Sequence, residues 1–176
     1  MAKAEWKRNT ELFMSATHEL GHAAACLHYR IRFKDVEVRR IKTPFGIAGG
    51  RIGCWVKDSV IGLHVRERYW RNVIVMLFAG DAAVQALWFH TGGATQDEKD
   101  ARKIAIRRLN IPQTQVDCFL EPLRQKALTL FRKPEVVNMI DSLYSVLVEK
   151  GKLSHREIRM AYRNAKLDSI VKETEF

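Results

Sequence analysis

The chain has 176 residues, 47% of them apolar, and a formal net charge of +10. That length suits one compact domain, and that apolar share excludes wholesale disorder. The three cysteines, Cys26, Cys54 and Cys118, are odd in number and form no Cys-x-x-Cys pair. This argues against a disulfide framework or a cysteine zinc site, and for three small buried hydrophobes in a reducing compartment.

The first segment, Met1 to Glu11, is polar and charged, without the apolar core of a signal peptide. Glu5 to Tyr29 holds no proline, and Leu12, Ala16, Leu20, Ala23, Ala24 and Leu27 recur at helical spacing, which predicts a long helix. Lys34 to Ile41 is short and β-prone. Thr43 to Gly46 reads as a turn around Pro44. Ile47 to Val56 contains Gly49, Gly50 and Gly53, which predicts a bent or bulged strand. Asp58 to His90 is helical in pattern, with Gly80 as the candidate break. Its apolar run, Val73 to Ala79, is too short to span a bilayer.

Thr91 to Ala94 breaks the chain, and Thr95-Gln96-Asp97-Glu98 is a capping box opening a helix to about Leu109. Two further helices are expected, from about Asp117 to Phe131 and from Pro134 to Lys150, the second closed by Gly151. Ser154-His155-Arg156-Glu157 is another capping box, opening a last helix to about Ala165. The tail, 167–176, is expected to fray. The expectation is a single, cytoplasmic domain over 1–176, with its core at about 10–163, mostly α with a small β element.

His18-Glu19-Leu20-Gly21-His22 is a His-Glu-x-x-His motif. Residues four apart lie one turn apart on one helix face, so both imidazoles reach a single zinc ion. Glu19 projects toward water at the metal. Zinc makes that water acidic, and the carboxylate accepts its proton and passes it to the leaving amine. The flanks Ser15-Ala16-Thr17 and Ala23-Ala24-Ala25 are small and uncharged, as a buried metal helix requires. The bland alternative is two ordinary helix histidines with a solvated Glu19.

A catalytic zinc needs a third protein ligand. His28 stands ten residues after His18, as in metzincins, but Ala25 occupies the place where that motif turns on glycine. In a continuous helix His28 lies about 15 Å along the axis from His18. A surface or satisfied histidine is the alternative.

Four stretches in order resemble the peptidase domain of the FtsH family of AAA+ zinc metalloproteases. They are Thr17 to Ala24 (THELGHAA), Val73 to Leu87 (VIVMLFAGDAAVQAL), Thr91 to Ala105 (TGGATQDEKDARKIA) and Leu147 to Arg159 (LVEKGKLSHREIR). Together they span roughly residues 10 to 163. The resemblance implies a zincin-type fold, peptidase activity, zinc as cofactor, and Asp97 as the third zinc ligand beside His18 and His22. Asp97 stands in the first turn of its helix, where a carboxylate is held by the helix N-terminus. On the residues alone a simple helix-start charge is the preferred reading of Asp97, and a solvated surface charge is preferred for Asp100 over a group supporting the ligands.

No Gly-x-x-x-x-Gly-Lys-Thr loop occurs in the chain, so a standalone domain is expected. It would cut flexible protein or peptide substrates or borrow an unfoldase. Val84 and Gln85 replace the family's acidic pair, which bears on surrounding contacts and hexamer formation, not on the zinc ligands. Gly49-Gly50-Arg51-Ile52 is a candidate edge strand for pairing with an extended peptide.

Basic residues cluster at Arg102, Lys103, Arg107 and Arg108, and at Arg124, Lys126, Arg132 and Lys133. They read first as solvated helix faces, because no aromatic-interleaved motif accompanies them. The alternative function is a non-catalytic or regulatory zincin-fold module whose basic face docks on nucleic acid or an acidic partner.

Overall fold

The computed structural model describes residues 2–39, 49–54, 63–88 and 95–174, with side chains placed over 10–38, 67–88 and 96–167. Helix α1 (Ala2–Tyr29) follows the apolar spacing of the sequence. Leu12, Ala16, Leu20, Ala23 and Ala24 are buried, and Leu27 packs at the margin of the core. Small residues on this face let a second helix approach closely. That helix is α2 (Leu63–Trp88), buried nearly all round at Val73, Ile74, Val75, Met76, Phe78, Ala79, Ala82 and Ala83. An apolar cylinder of this kind belongs at the centre of a core. It lies against α1, α3 (Thr95–Leu109) and α4 (Val116–Leu130). No helix among the described residues is long and apolar enough to cross a membrane.

Contrary to the break expected there, α2 runs unbroken through Gly80. The glycine serves a close approach instead of a chain reversal. Helix α3 ends where Asn110 turns into the left-handed region (φ 55°), and the Ile111 N–H reaches back to the Ala105 carbonyl at 3.0 Å. Helix α5 (Pro134–Lys150) has both expected bounds. Proline opens it, and Gly151 closes it at φ 74° with its N–H on the Leu147 carbonyl at 2.8 Å.

A sheet of order β2-β1-β3 flanks the helices, with β1 (Phe33–Arg39) between β2 (Gly49–Cys54) and β3 (Lys152–Ser154), all antiparallel. Strand β3 has no counterpart in the sequence reading, because so short a segment carries too little alternation. The irregularity expected on the glycine-rich strand falls on β1. Phe33 pairs with Cys54 and Val36 with Ile52, which leaves an extra residue on β1 and buries both Phe33 and Val36. The expected turn over Thr43–Gly46 and the break over Thr91–Ala94 lie outside the described residues, as do the outer ends of the second strand.

Helix α6 (His155–Thr174) begins with a formed capping box. The Ser154 N–H donates to Glu157 Oε2 at 2.8 Å, and the Glu157 N–H donates to Ser154 Oγ at 3.3 Å. The helix continues past Ala165 and through most of the tail expected to fray. Cys26 is buried as expected, but Cys118 is exposed. Its place on α4 is opposite the face that buries Val116, Leu120, Leu123, Ala127 and Leu130.

Candidate metal centre

Helices α1, α2 and α3 meet around three ligand-type atoms. His18 and His22 stand one turn apart on α1, and Asp97 reaches them from the first turn of α3. His18 Nε2 lies 2.9 Å from His22 Nε2. Asp97 Oδ2 lies 3.1 Å from the first and 3.3 Å from the second. Bonds of about 2.0–2.1 Å at a tetrahedral centre set ligand atoms about 3.3 Å apart, so the triangle has the dimensions of one metal site.

The outer ring nitrogens fix the tautomers. His22 Nδ1 lies 2.7 Å from the Met76 carbonyl oxygen, a contact that requires a proton on Nδ1. His22 Nε2 is then a bare lone pair. His18 Nδ1 faces Asp81 Oδ1 at 3.4 Å, the carboxylate–histidine arrangement that orients metal ligands. Two imidazole nitrogens and a carboxylate oxygen therefore converge on one point, an arrangement that calls for a cation there, whether a metal ion or, without one, the second proton of His18.

The electrostatics agree. Burial alone would lower the His18 pKa, but the Asp81 and Asp97 carboxylates and the Glu19 charge overcome it and raise it to about 10. Burial works to raise Asp97, yet hydrogen bonds to His18 and His22 hold it well below the usual carboxylate range. Glu19 is 7% exposed, and burial raises its pKa against the opposing charges of His22 and His18. It is a carboxylate moved toward neutral titration beside the ligand triangle, as a general base needs.

The packing that holds this triangle depends on two glycines. A Cβ at Gly80 would lie 2.6 Å from His18 Cε1 and 2.6 Å from His22 Nε2. A Cβ at Gly21 would lie 2.5 Å from the Ala79 carbonyl oxygen and 2.7 Å from Ala83 Cβ. Glycine in a helix interior costs about 1 kcal/mol relative to alanine. Here it lets α1 and α2 close on each other and leaves room for both imidazoles.

No family model matches the chain, and no curated protein matches it.

His18, Glu19, His22 and Asp97 are thus brought together. His28 is not among them: α1 continues to Tyr29, and His28 stacks edge-on against that ring. Burial lowers its pKa, with Lys133 adding to the effect. Asp100 is a surface charge, bonded to Gln96 and Lys103 at 3.0 Å each. Gly49 and Gly50 lie on β2 opposite Arg39 and Val38, and β2 is an outer strand of the sheet among the described residues.

Arg102, Lys103 and Arg124, three of the eight clustered cations, are neutralised by ion pairs within the protein. Arg102 pairs with Glu98 and Asp117, Arg124 with Glu98 and Glu121, and Lys103 with Asp100. Cations also lie over aromatic rings of the protein itself, of which Trp70 and Phe78 are buried. Arg71 lies over Phe119, Arg108 over Trp70, Arg124 over Phe78 and Lys126 over Tyr29.

Three contributors to the site escape the sequence reading: Asp81, the Met76 carbonyl and the packing role of Gly80. For Asp81 a signal was available. It is the single charge within the apolar stretch Val73 to Leu87. A lone carboxylate there asks for a partner. The Met76 carbonyl carries no sequence signal, because any residue supplies one.

Proposed function

We propose that this chain is a zinc metallopeptidase of the FtsH-like, zincin type, hydrolysing peptide bonds without ATP. The observation that carries this reading is the convergence of His18 Nε2, His22 Nε2 and Asp97 Oδ2 within 2.9–3.3 Å of one another, beside a buried Glu19. Two nitrogens and one oxygen are a catalytic zinc donor set, with one position left for substrate or water. Zinc, when bound, supplies Lewis acidity and brings the pKa of water near neutral.

The chain's own groups do the rest. Met76 and Asp81 hold the two imidazoles with their Nε2 atoms inward. Glu19 accepts a proton from water and returns it to the leaving amine. Burial raises its pKa, which favours its taking the proton up. The outer strand β2, with Gly49 and Gly50, would receive an extended peptide by backbone pairing. The substrates proposed are extended protein or peptide segments, flexible already or delivered by an unfoldase.

The test is zinc content and cleavage of an unfolded protein such as casein by wild type, Glu19→Gln and Asp97→Ala. One zinc per chain, weakened in Asp97→Ala, with cleavage abolished in Glu19→Gln, is the expected result. Absence of zinc from all three overturns the reading. A peptide library then separates a broad clearance peptidase from one with a single dedicated target.

A second reading is favoured by a cleft of about 390 Å³ between α1, α2 and α4, lined by Arg68, Arg71 and Lys126 beside Tyr29 and Glu67. Its cations suit an anionic partner, nucleic acid or acidic protein. Salt-sensitive nucleic-acid retention that survives Glu19→Gln would favour this reading over the peptidase.

A further inference from the structure

A cavity of about 200 Å³ is lined by Thr17, Leu87, Trp88, Asp141 and Tyr144. Small-molecule sites run about 300–1,000 Å³, so this one is of a size for a single side chain. Its floor is Thr17, the residue that immediately precedes the ligand His18 on α1. Consecutive Cα atoms are about 3.8 Å apart, so the cavity meets α1 on the same turn that carries the ligand His18.

The walls are rigid. Thr17 is 1% exposed, and its hydroxyl donates to the Phe13 carbonyl at 2.9 Å while accepting from Trp88 Nε1 at 2.9 Å. That bond ties the last residue of α2 to α1. Tyr144 of α5 is held edge-on by Phe13 and Trp88, with ring centroids 5.5 Å and 6.4 Å away. Two aromatic rings and Leu87 thus make a half-buried apolar sleeve.

The mouth is different in kind. Asp141 stands one turn before Tyr144 on α5, is exposed, and has no hydrogen bond or ion pair among the described residues. An apolar sleeve with an unpaired carboxylate at its rim matches a long aliphatic stem ending in a cation.

Building on the peptidase reading, we propose that this cavity is a specificity subsite for a lysine or arginine side chain adjacent to the scissile bond. The aliphatic stem lies on Trp88, Tyr144 and Leu87, and the cation meets Asp141. The natural substrate is then an extended segment bearing a basic residue at that place.

The test uses the full chain loaded with zinc and a fluorescent peptide series that differs at one position: lysine, norleucine or glutamate. Binding is read in a Glu19→Gln background, and cleavage in wild type. Lysine should bind roughly two- to fivefold better than norleucine, as expected for one exposed charge pair. Asp141→Asn should abolish that preference, and Asp141→Lys should transfer it to glutamate. Trp88→Ala should weaken lysine and norleucine peptides alike. Thermal melts check that each variant is folded, which the exposure of Asp141 favours.

Equal binding of lysine and norleucine peptides, or a preference that survives Asp141→Asn, overturns the subsite. So does failure of every peptide to bind. Cleavage without the preference removes the subsite and leaves the peptidase standing. Selective binding with no cleavage in wild type overturns the peptidase and with it the place of the subsite beside a scissile bond, and leaves only a cavity that binds a basic side chain.

Discussion

A Cβ atom on Gly80 would stand 2.6 Å from Nε2 of His22, so the central helix can carry no side chain where it faces the ligand pair. The obstructed atoms are the ends of two imidazoles, which can swing aside. Gly80→Ala should therefore keep the fold, helped by about 1 kcal/mol of helix propensity, while metal affinity falls at least tenfold. At Gly21 the obstructed atom is the Ala79 carbonyl oxygen, at 2.5 Å, which cannot rotate away. Gly21→Ala should force α1 and α2 apart and cost about 1–3 kcal/mol of stability. Thermal melts with and without added zinc separate the two cases. Zinc should raise the Tm of wild type and fail to raise that of Gly80→Ala.

Asp81 faces His18 Nδ1 at 3.4 Å and touches the site only through that ring. It is a positioning residue. Asp81→Ala should lower zinc affinity about 10–100-fold, with Asp81→Asn between it and wild type. Its side chain is 35% exposed, so the fold should change little. A competition titration against a chromophoric chelator measures the loss. Unchanged affinity in Asp81→Ala would show that Met76 and the helix alone orient the ligands.

Glu157 closes the capping box of α6, and the Ser154 N–H, the Ser154 hydroxyl and Lys150 together lower its pKa from 4.5 to about 2. A carboxylate depressed in the folded state contributes stability that is present above the unfolded value and lost as pH falls through the folded one. The window is therefore about pH 4.5 down to 2. The side chain is 43% exposed, so solvent screens most of the effect. Glu157→Gln should cost roughly 0.5–1 kcal/mol at pH 7. The gap to wild type should close as the pH falls through the window. Urea melts at pH 7, 4 and 3 measure it.

Much of the frame is legible along the chain because local rules govern it. The apolar spacing of Leu12 to Ala24 marks α1, and proline and glycine bracket α5 at Pro134 and Gly151. The His-Glu-x-x-His spacing places His18, Glu19 and His22 on one helix, and the likeness to FtsH-type peptidases pointed to Asp97. What stayed hidden depends on how helices cross. Gly80 reads as a breaker until α1 lies against it, and Asp81 has no visible partner until His18 does. Strand β3 exists because β1 offers an edge to Lys152–Ser154, not because those residues prefer extension. The sleeve of Trp88 and Tyr144 likewise joins residues 56 apart in sequence.

The raised His18 pKa couples metal binding to pH. Burial alone would lower it, but Asp81, Asp97 and Glu19 lift it from 6.5 to about 10, so the metal-free protein keeps a proton on His18 at neutral pH. A group raised in the folded state contributes stability that is full below its unfolded pKa and lost as pH rises through the folded one. The metal-free chain should therefore lose stability between about pH 6.5 and 10. Zinc must displace the same proton, so its apparent affinity should rise about tenfold per pH unit between pH 6 and 8. Calorimetry in buffers of different ionisation enthalpy should count about one proton released per zinc at pH 7. His18→Ala should abolish both the proton release and the alkaline loss of stability. If zinc binds to wild type with no proton release, His18 is neutral in the metal-free state. The cation that the three converging acceptors call for would then have to be supplied by the metal alone.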